Sequence, residues 1–192
     1  MKRIFSAAML CMSSFLTPAH AAVIDFDALE AAGTSFQFMS MYEEDGYRLA
    51  GGNFASAQHG TTGWYAGSAS LFNNSGGGMT VLSKIDGSAF SMRAIDLARV
   101  STSYAGGAQV NFTGHVHGGG TVSQSFTVGE ALAFQHFLLS GFNNLDSVTW
   151  LQSAPYHQFD NIDLRNQVPE PAPLALMALA MAALVARRRT KS

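Results

Sequence analysis

Val110-Asn111-Phe112-Thr113-Gly114-His115-Val116-His117-Gly118-Gly119-Gly120-Thr121-Val122-Ser123-Gln124-Ser125-Phe126-Thr127-Val128 alternates apolar and polar residues on both sides of a triple glycine. Successive side chains of a strand point to opposite faces, so the stretch predicts a β-hairpin that turns at the glycines. Placing His117 opposite Thr121 sets Val116 against Val122, Phe112 against Phe126 and Val110 against Val128 on one apolar face. The other face is a polar ribbon, Asn111, Thr113, His115 and His117 against Thr127, Ser125, Ser123 and Thr121. A slip of one residue would bury this ribbon, so the choice of face is strongly specified.

Working outward, residues 23–29, 36–40, 47–49, 64–72, 79–85, 90–100, 145–150 and 159–164 read as further short strands between Gly, Asn and Ser clusters. Glu43-Glu44-Asp45-Gly46 is an acidic turn, and 131–139 is the nearest approach to a helical period. Regular short strands with turn signals predict an all-β fold, a single sandwich without internal repeats.

The two ends have a different character. Met1-Lys2-Arg3 is basic, 4–16 is apolar and Ala19-His20-Ala21 is a small-x-small site, which predicts a signal peptide (1–21) cut by signal peptidase before Ala22. The single cysteine, Cys11, leaves with it, so no disulfide is expected in the exported body. At the other end Val168-Pro169-Glu170-Pro171 leads into an apolar run, 172–186, closed by Arg187-Arg188-Arg189. As a helix that run reaches about 22 Å, short for a bilayer core of about 30 Å but long enough with thinning and snorkelling arginines. The basic end then stays cytoplasmic. The division is 1–21 signal, 22–165 sandwich, 166–171 linker and 172–192 transmembrane helix with a basic tail.

The charge of −2 for the whole chain conceals an uneven distribution, because residues 22–168 carry five cations against twelve acids, a net −7. An acidic body repels phosphate backbones, which excludes nucleic acid as a partner. His115 and His117, about 7 Å apart on one strand face, suit Zn²⁺ or Cu²⁺ only with a third ligand that the sequence does not supply. With Asn111 they equally suit hydrogen bonding to a polysaccharide, or simply a solvated sheet face. Trp64 and Tyr65 follow a Gly-Thr-Thr-Gly turn and are the candidates for stacking on a sugar ring, whereas Trp150, in phase with Val148, is assigned to the core. No Gly-x-Ser-x-Gly, His-Glu-x-x-His or phosphate loop occurs, so no catalytic residue is assigned.

The Pro-Glu-Pro entry, apolar run and arginine stop resemble the PEP-CTERM sorting signal of Gram-negative bacteria. The resemblance implies that an exosortase recognises Pro169, Glu170 and Pro171, with Arg187, Arg188 and Arg189 as the stop. It implies an inner-membrane-anchored intermediate and then a place at the cell surface or in the extracellular matrix. Ile24-Asp25-Phe26 and Phe159-Asp160-Asn161-Ile162 are similar to the first and last strands of the jelly-roll bodies that accompany this signal. In galactose-binding-like jelly rolls those strands lie side by side and often hold a structural Ca²⁺. The resemblance therefore implies Asp25, Asp27, Glu30, Asp160 and Asp163 as oxygen ligands for calcium. The expected function is a non-catalytic, carbohydrate-binding surface or biofilm-matrix protein. The alternatives are a secreted polysaccharide hydrolase or lyase, and a structural matrix component without a ligand.

Overall fold

The structure, a computed structural model, describes residues 21–166. The sorting residues Pro169, Glu170, Pro171 and Arg187 to Arg189, the apolar run and signal residues 1–20, Ala19 among them, lie outside these residues, whereas Ala21, the last residue of the expected signal, is the first of the first strand. Thirteen strands follow in order: β1 (Ala21–Ile24), β2 (Phe38–Met39), β3 (Tyr42–Glu44), β4 (Tyr47–Ala50), β5 (Phe54–Ala57), β6 (Ser70–Asn73), β7 (Met79–Lys84), β8 (Phe90–Arg99), β9 (Gln109–Val116), β10 (Thr121–Thr127), β11 (Gln135–Leu138), β12 (Leu145–Leu151) and β13 (His157–Asn166). The one helical element described is a 3₁₀ turn, Asp27–Leu29. Among the described residues no helix is long and apolar enough to cross a membrane.

The strands form an all-β, jelly-roll-like sandwich. One layer runs β2-β5-β6-β13-β8, with β1 also beside β13 and β11 beside β8. The other runs β10-β9-β12-β7-β4-β3, and the single pair Leu145–Phe90 links the two. Every strand pairing is antiparallel. The layers meet through aromatic rings: Phe159 of β13 is edge-on to Trp150 of β12 at 5.2 Å, and Tyr47 of β4 is edge-on to Phe90 of β8 at 5.5 Å. Trp150 is thus in the core, where its phase with Val148 puts it. The first strand lies against the last, Ala22 opposite Leu164 and Ile24 opposite Ile162, as the resemblance implies.

The hairpin keeps its predicted faces but not its register. His115, not His117, is opposite Thr121, and Val110 is opposite Phe126, a displacement of two residues. An even displacement leaves every side chain on its original face. Its cause is twofold. The turn takes five residues, closed by Val116 N–H to the Gly120 carbonyl at 3.0 Å, with all three glycines at positive φ. Gly114 then falls opposite Val122, where a Cβ would stand 2.9 Å from Val122 and 3.0 Å from both Leu145 and Phe142. The missing side chain is the space into which these three pack.

Three other expectations are corrected. Residues 64–72 are not one strand; only Ser70–Asn73 pairs, because positive φ at Gly63 and Gly67 curls the chain before it. The 131–139 stretch holds a strand, β11, paired along β8. The strand expected over 23–29 stops at Ile24, since Phe26 adopts φ 55° and the chain turns through Asp27–Leu29.

A methyl group at Gly114 tests the packing. Gly114→Ala should lower stability by about 1–3 kcal/mol through overpacking, read as a lower denaturation midpoint with an unchanged slope.

Candidate functional site

β5 and β6 are buried on both faces. Their inner residues, Phe54 and Leu71, join the main core. Their outer ones, Ala55, Ala57 and Phe72, form with Val100 a second, smaller cluster covered by Phe36, Trp64 and Tyr156. The two small alanines make a shallow floor on which large rings can lie. Trp64 stacks on Phe72 (5.7 Å, 24°), while Phe36 stands edge-on to both, at 5.2 and 6.0 Å. Tyr104 continues the wall from Trp64 to Tyr156, and Phe38, 64% exposed, extends it beyond Phe36.

The loop bearing Trp64 is tied down from the outer side of β13. Gln158 donates through Nε2 to the carbonyls of Trp64 and Arg99, both at 2.8 Å, and accepts the Ser70 hydroxyl. Two residues on, Asp160 accepts the Ser68 hydroxyl. Within the loop, Thr61 and Gln58 close a turn, so the Thr61 hydroxyl is committed. Beside Trp64 lies an open groove of about 310 Å³ lined by Thr34, Phe36, Gly60, Thr61, Thr62 and Trp64. Aromatic walls with a few hydroxyls are the make-up of a site that takes a ring apolar on its faces and polar at its rim. Tyr65 is not part of that wall. Its ring meets His59 at 5.4 Å, its hydroxyl donates to Gly67, and burial with the carboxylates of Glu30, Asp27 and Asp160 raises its phenol above the usual range.

The polar ribbon is a separate surface, on the outer side of the second layer. Register sets His115 beside Ser147 and Thr113 beside Thr149. Asn111 accepts the Ser125 hydroxyl at 2.6 Å, and His115 Nε2 lies 3.4 Å from Thr149 Oγ1. A cleft of about 260 Å³ here is lined by Gln109, Asn111, Thr113 and Thr149, with Met79 and Leu151 as apolar flanks. His117 stands apart in the turn, its Nδ1 2.7 Å from Asp146 Oδ1. The two histidines therefore have different partners. Among the described residues no three His, Cys, Asp or Glu gather as a metal ion would require.

The five acidic residues named for calcium have various partners in the protein. Asp25 accepts the backbone N–H of Asp27, and Glu30 accepts that of His59. Asp163 occupies a bulged part of β13 between Val23 and Ala94. Asp160 is fully buried, in a network that the sequence reading missed. Asn161, at φ 47°, donates to Asp96 at 3.0 Å and to Asp160 at 3.4 Å, and Asp96 meets His136 at 2.6 Å. Burial pushes the Asp160 carboxyl up to about 7, helped by the charges of Asp96 and Asp27 and opposed by the Ser68 hydroxyl and Asn161 N–H bonds. Burial alone pushes His157 down to about 3. Beneath Phe26, Glu44 accepts the Tyr42 hydroxyl at 2.9 Å, and burial raises both groups. The only sequence signal for this network is the pair of carboxylates flanking Asn161 and Ile162.

Residues 167–189 match the family model of the PEP-CTERM protein-sorting motif. No curated protein matches the chain. Among solved structures, the chain is similar to a point variant of a family 29 carbohydrate-binding module studied for its ligand recognition, at 12% identity and a TM-score of 0.45, covering 78% of this chain and 92% of that one. The family 29 module itself gives 12% identity and a TM-score of 0.39 over 78% of this chain and 90% of its own. A variant complexed with cellulohexaose gives 12% and 0.39 over 77% and 91%. The sandwich assignment itself rests on the strand pairing.

Asp160 and His157 give stability opposite dependences on pH. Folded Asp160 keeps its proton to about pH 7, whereas the unfolded chain releases it near 3.8, so its contribution is full below about 4 and lost as pH rises through 7. Folded His157 refuses a proton that the unfolded chain takes near 6.5, so its contribution is present above 6.5 and lost as pH falls toward about 3. The parent protein should show a shallow profile between about pH 4 and 6.5. Asp160→Asn should then lose stability on acidification and His157→Gln should gain it, as read from urea midpoints across that range.

Proposed function

We propose that this chain is an exported, non-catalytic carbohydrate-binding protein of the cell surface or extracellular matrix, and that the Trp64 groove is its sugar contact. The observation that carries the reading is the half-buried Trp64, braced by Phe36 and Phe72 beside the hydroxyls of Thr34 and Thr62. Pyranose rings offer C–H groups on their faces and hydroxyls at their edges, and a rigid aromatic wall with nearby hydroxyls is complementary to both. The Asn111 and His115 face supplies a second polar surface on which an extended polymer could lie. The sorting motif at 167–189 supports export followed by a membrane-held stage. Signal peptidase, acting before Ala22, and an exosortase, acting at Pro169-Glu170-Pro171, are the proposed processing enzymes. Release, or attachment to polysaccharide, follows.

Binding to a panel of bacterial exopolysaccharides, measured in calcium and in EDTA, tests the reading. Trp64→Ala should weaken binding by about tenfold or more, because covering a large apolar side chain contributes about 1.5–3 kcal/mol. His117→Ala, outside both surfaces, should leave it unchanged. A difference between calcium and EDTA would mark a contribution from the Asp25, Asp27, Glu30, Asp160 and Asp163 carboxylates. Loss of binding in neither variant would count against the groove. Separately, Glu170→Ala should accumulate as an uncleaved, membrane-held form on immunoblots of fractionated cells. Normal processing of that variant would count against sorting through the motif.

A further inference from the structure

We propose that the sandwich interior holds a fixed cluster of water molecules on Asn73, Thr80, Trp150, Gln152 and His157, and that this cluster stiffens the loop carrying Tyr156. Among the described residues, six buried side-chain atoms of these five residues have no hydrogen-bond partner: Asn73 Nδ2, Thr80 Oγ1, Trp150 Nε1, Gln152 Oε1 and both ring nitrogens of His157. Each residue is almost completely excluded from solvent. Buried polar groups in native proteins are nearly always satisfied, often by internal water, and these six atoms are the groups such water would bond.

Strand register brings them to one place. Thr80 is directly opposite Trp150, and Gln152 lies two residues beyond on the same face. The Gln152 backbone bonds on both sides, to Gly78 at 2.9 Å and from Gly77 at 2.7 Å. The Asn73 amide packs against Gly78, within 2.5–2.8 Å of the position a Cβ would take. Gln152 Nε2 donates to the His157 carbonyl at 2.9 Å, and Phe159, two residues after His157, touches Trp150. The cluster thus joins β6 and β13 of one layer to β7 and β12 of the other.

The chemistry selects the occupant. The Asn73 amine and the indole donate, the Gln152 carbonyl accepts, and the Thr80 hydroxyl and neutral His157 ring do both. An anion would meet the carbonyl and a cation the indole N–H, whereas water bonds to either. An internal water makes about three hydrogen bonds, so about two waters satisfy the six atoms. Gln152 and His157 are the two stems of the loop 153–156. Tyr156 extends from it toward Tyr104 in the aromatic wall, and its carbonyl accepts the Val100 N–H. Waters linking both stems to β6 and β7 would hold that tyrosine still. The bearing of this on a ligand rests on the groove reading above; the water site itself does not.

A high-resolution crystal structure of the full chain in detergent tests the site. Two or more ordered waters within hydrogen-bond distance of Trp150 Nε1, Thr80 Oγ1 and a His157 ring nitrogen are expected. A dry site, or density with these groups bonded directly to one another, would overturn the proposal. Thr80→Val, which removes one hydroxyl at constant shape, should speed hydrogen exchange of the amides in 152–157 several-fold while leaving β9 and β10 unaffected. Unchanged exchange in a folded Thr80→Val would overturn the stiffening role even if the waters are found. That readout needs no sugar, so it stands or falls independently of the carbohydrate reading.

Discussion

The arrangement depends on the pairing of one strand, β13. It bonds β8 from His157 to Asn166, meets β6 at Phe159 and takes β1 as a neighbour from Ile162 to Arg165. Among the described residues β1 has no other strand partner, so the first layer is complete only when the chain extends to β13. Pairings so distant in sequence carry a loop-closure cost before they contribute. Closing that layer therefore carries a long-range entropic cost. In an exported chain closure follows passage of the whole body, and the sorting motif begins immediately after β13.

Alternation along β13 distributes its roles. His157 and Phe159 point into the sandwich, one toward the orphaned polar atoms and the other onto Trp150. Gln158 and Asp160 point outward, yet both are buried, because the loop bearing Trp64 and Ser68 folds down onto them. A candidate sugar groove on a loop would ordinarily be soft. Here two side chains of a central strand hold its backbone at Trp64 and its hydroxyl at Ser68. The bulges between Asp160 and Leu164, with Asn161 at positive φ, accompany this arrangement at the point where Asn161 bridges two carboxylates.

Much of the fold was legible because period two survives local error. The apolar faces of β9 and β10 were read from alternation, and a register displaced by two residues left those faces intact. The displacement itself was hidden, since the space at Gly114 is defined by Val122, Phe142 and Leu145, the last two from another part of the chain. Trp64 and the Asn111–His115 face were legible as candidates from residue type, turn signal and strand phase, whereas the rings that brace Trp64 and the Thr149 hydroxyl beside His115 come from distant parts of the chain. The buried state of Asp160 and His157 was not, for it depends on a loop whose Ser68 lies 92 residues before Asp160 and on both layers closing. The same limit applies to the acids near the two ends of the body: Asp25, Asp27 and Glu30 follow β1 rather than lie in it, and their placement relative to Asp160 and Asp163 depends on the turn at Phe26. The orphaned polar cluster draws on four strands, and no window of sequence contains it.

The most direct measurement of the account is a fluorescence titration of the full chain in detergent with a polysaccharide that it retains. The chain has two tryptophans, one half-exposed at the groove and one in the core. Contact at the groove should change the emission of Trp64 alone: the response should persist in Trp150→Phe and disappear in Trp64→Phe. A saturable response that survives in Trp64→Phe, or binding with no change in emission, would contradict the placement of the ligand against this aromatic wall.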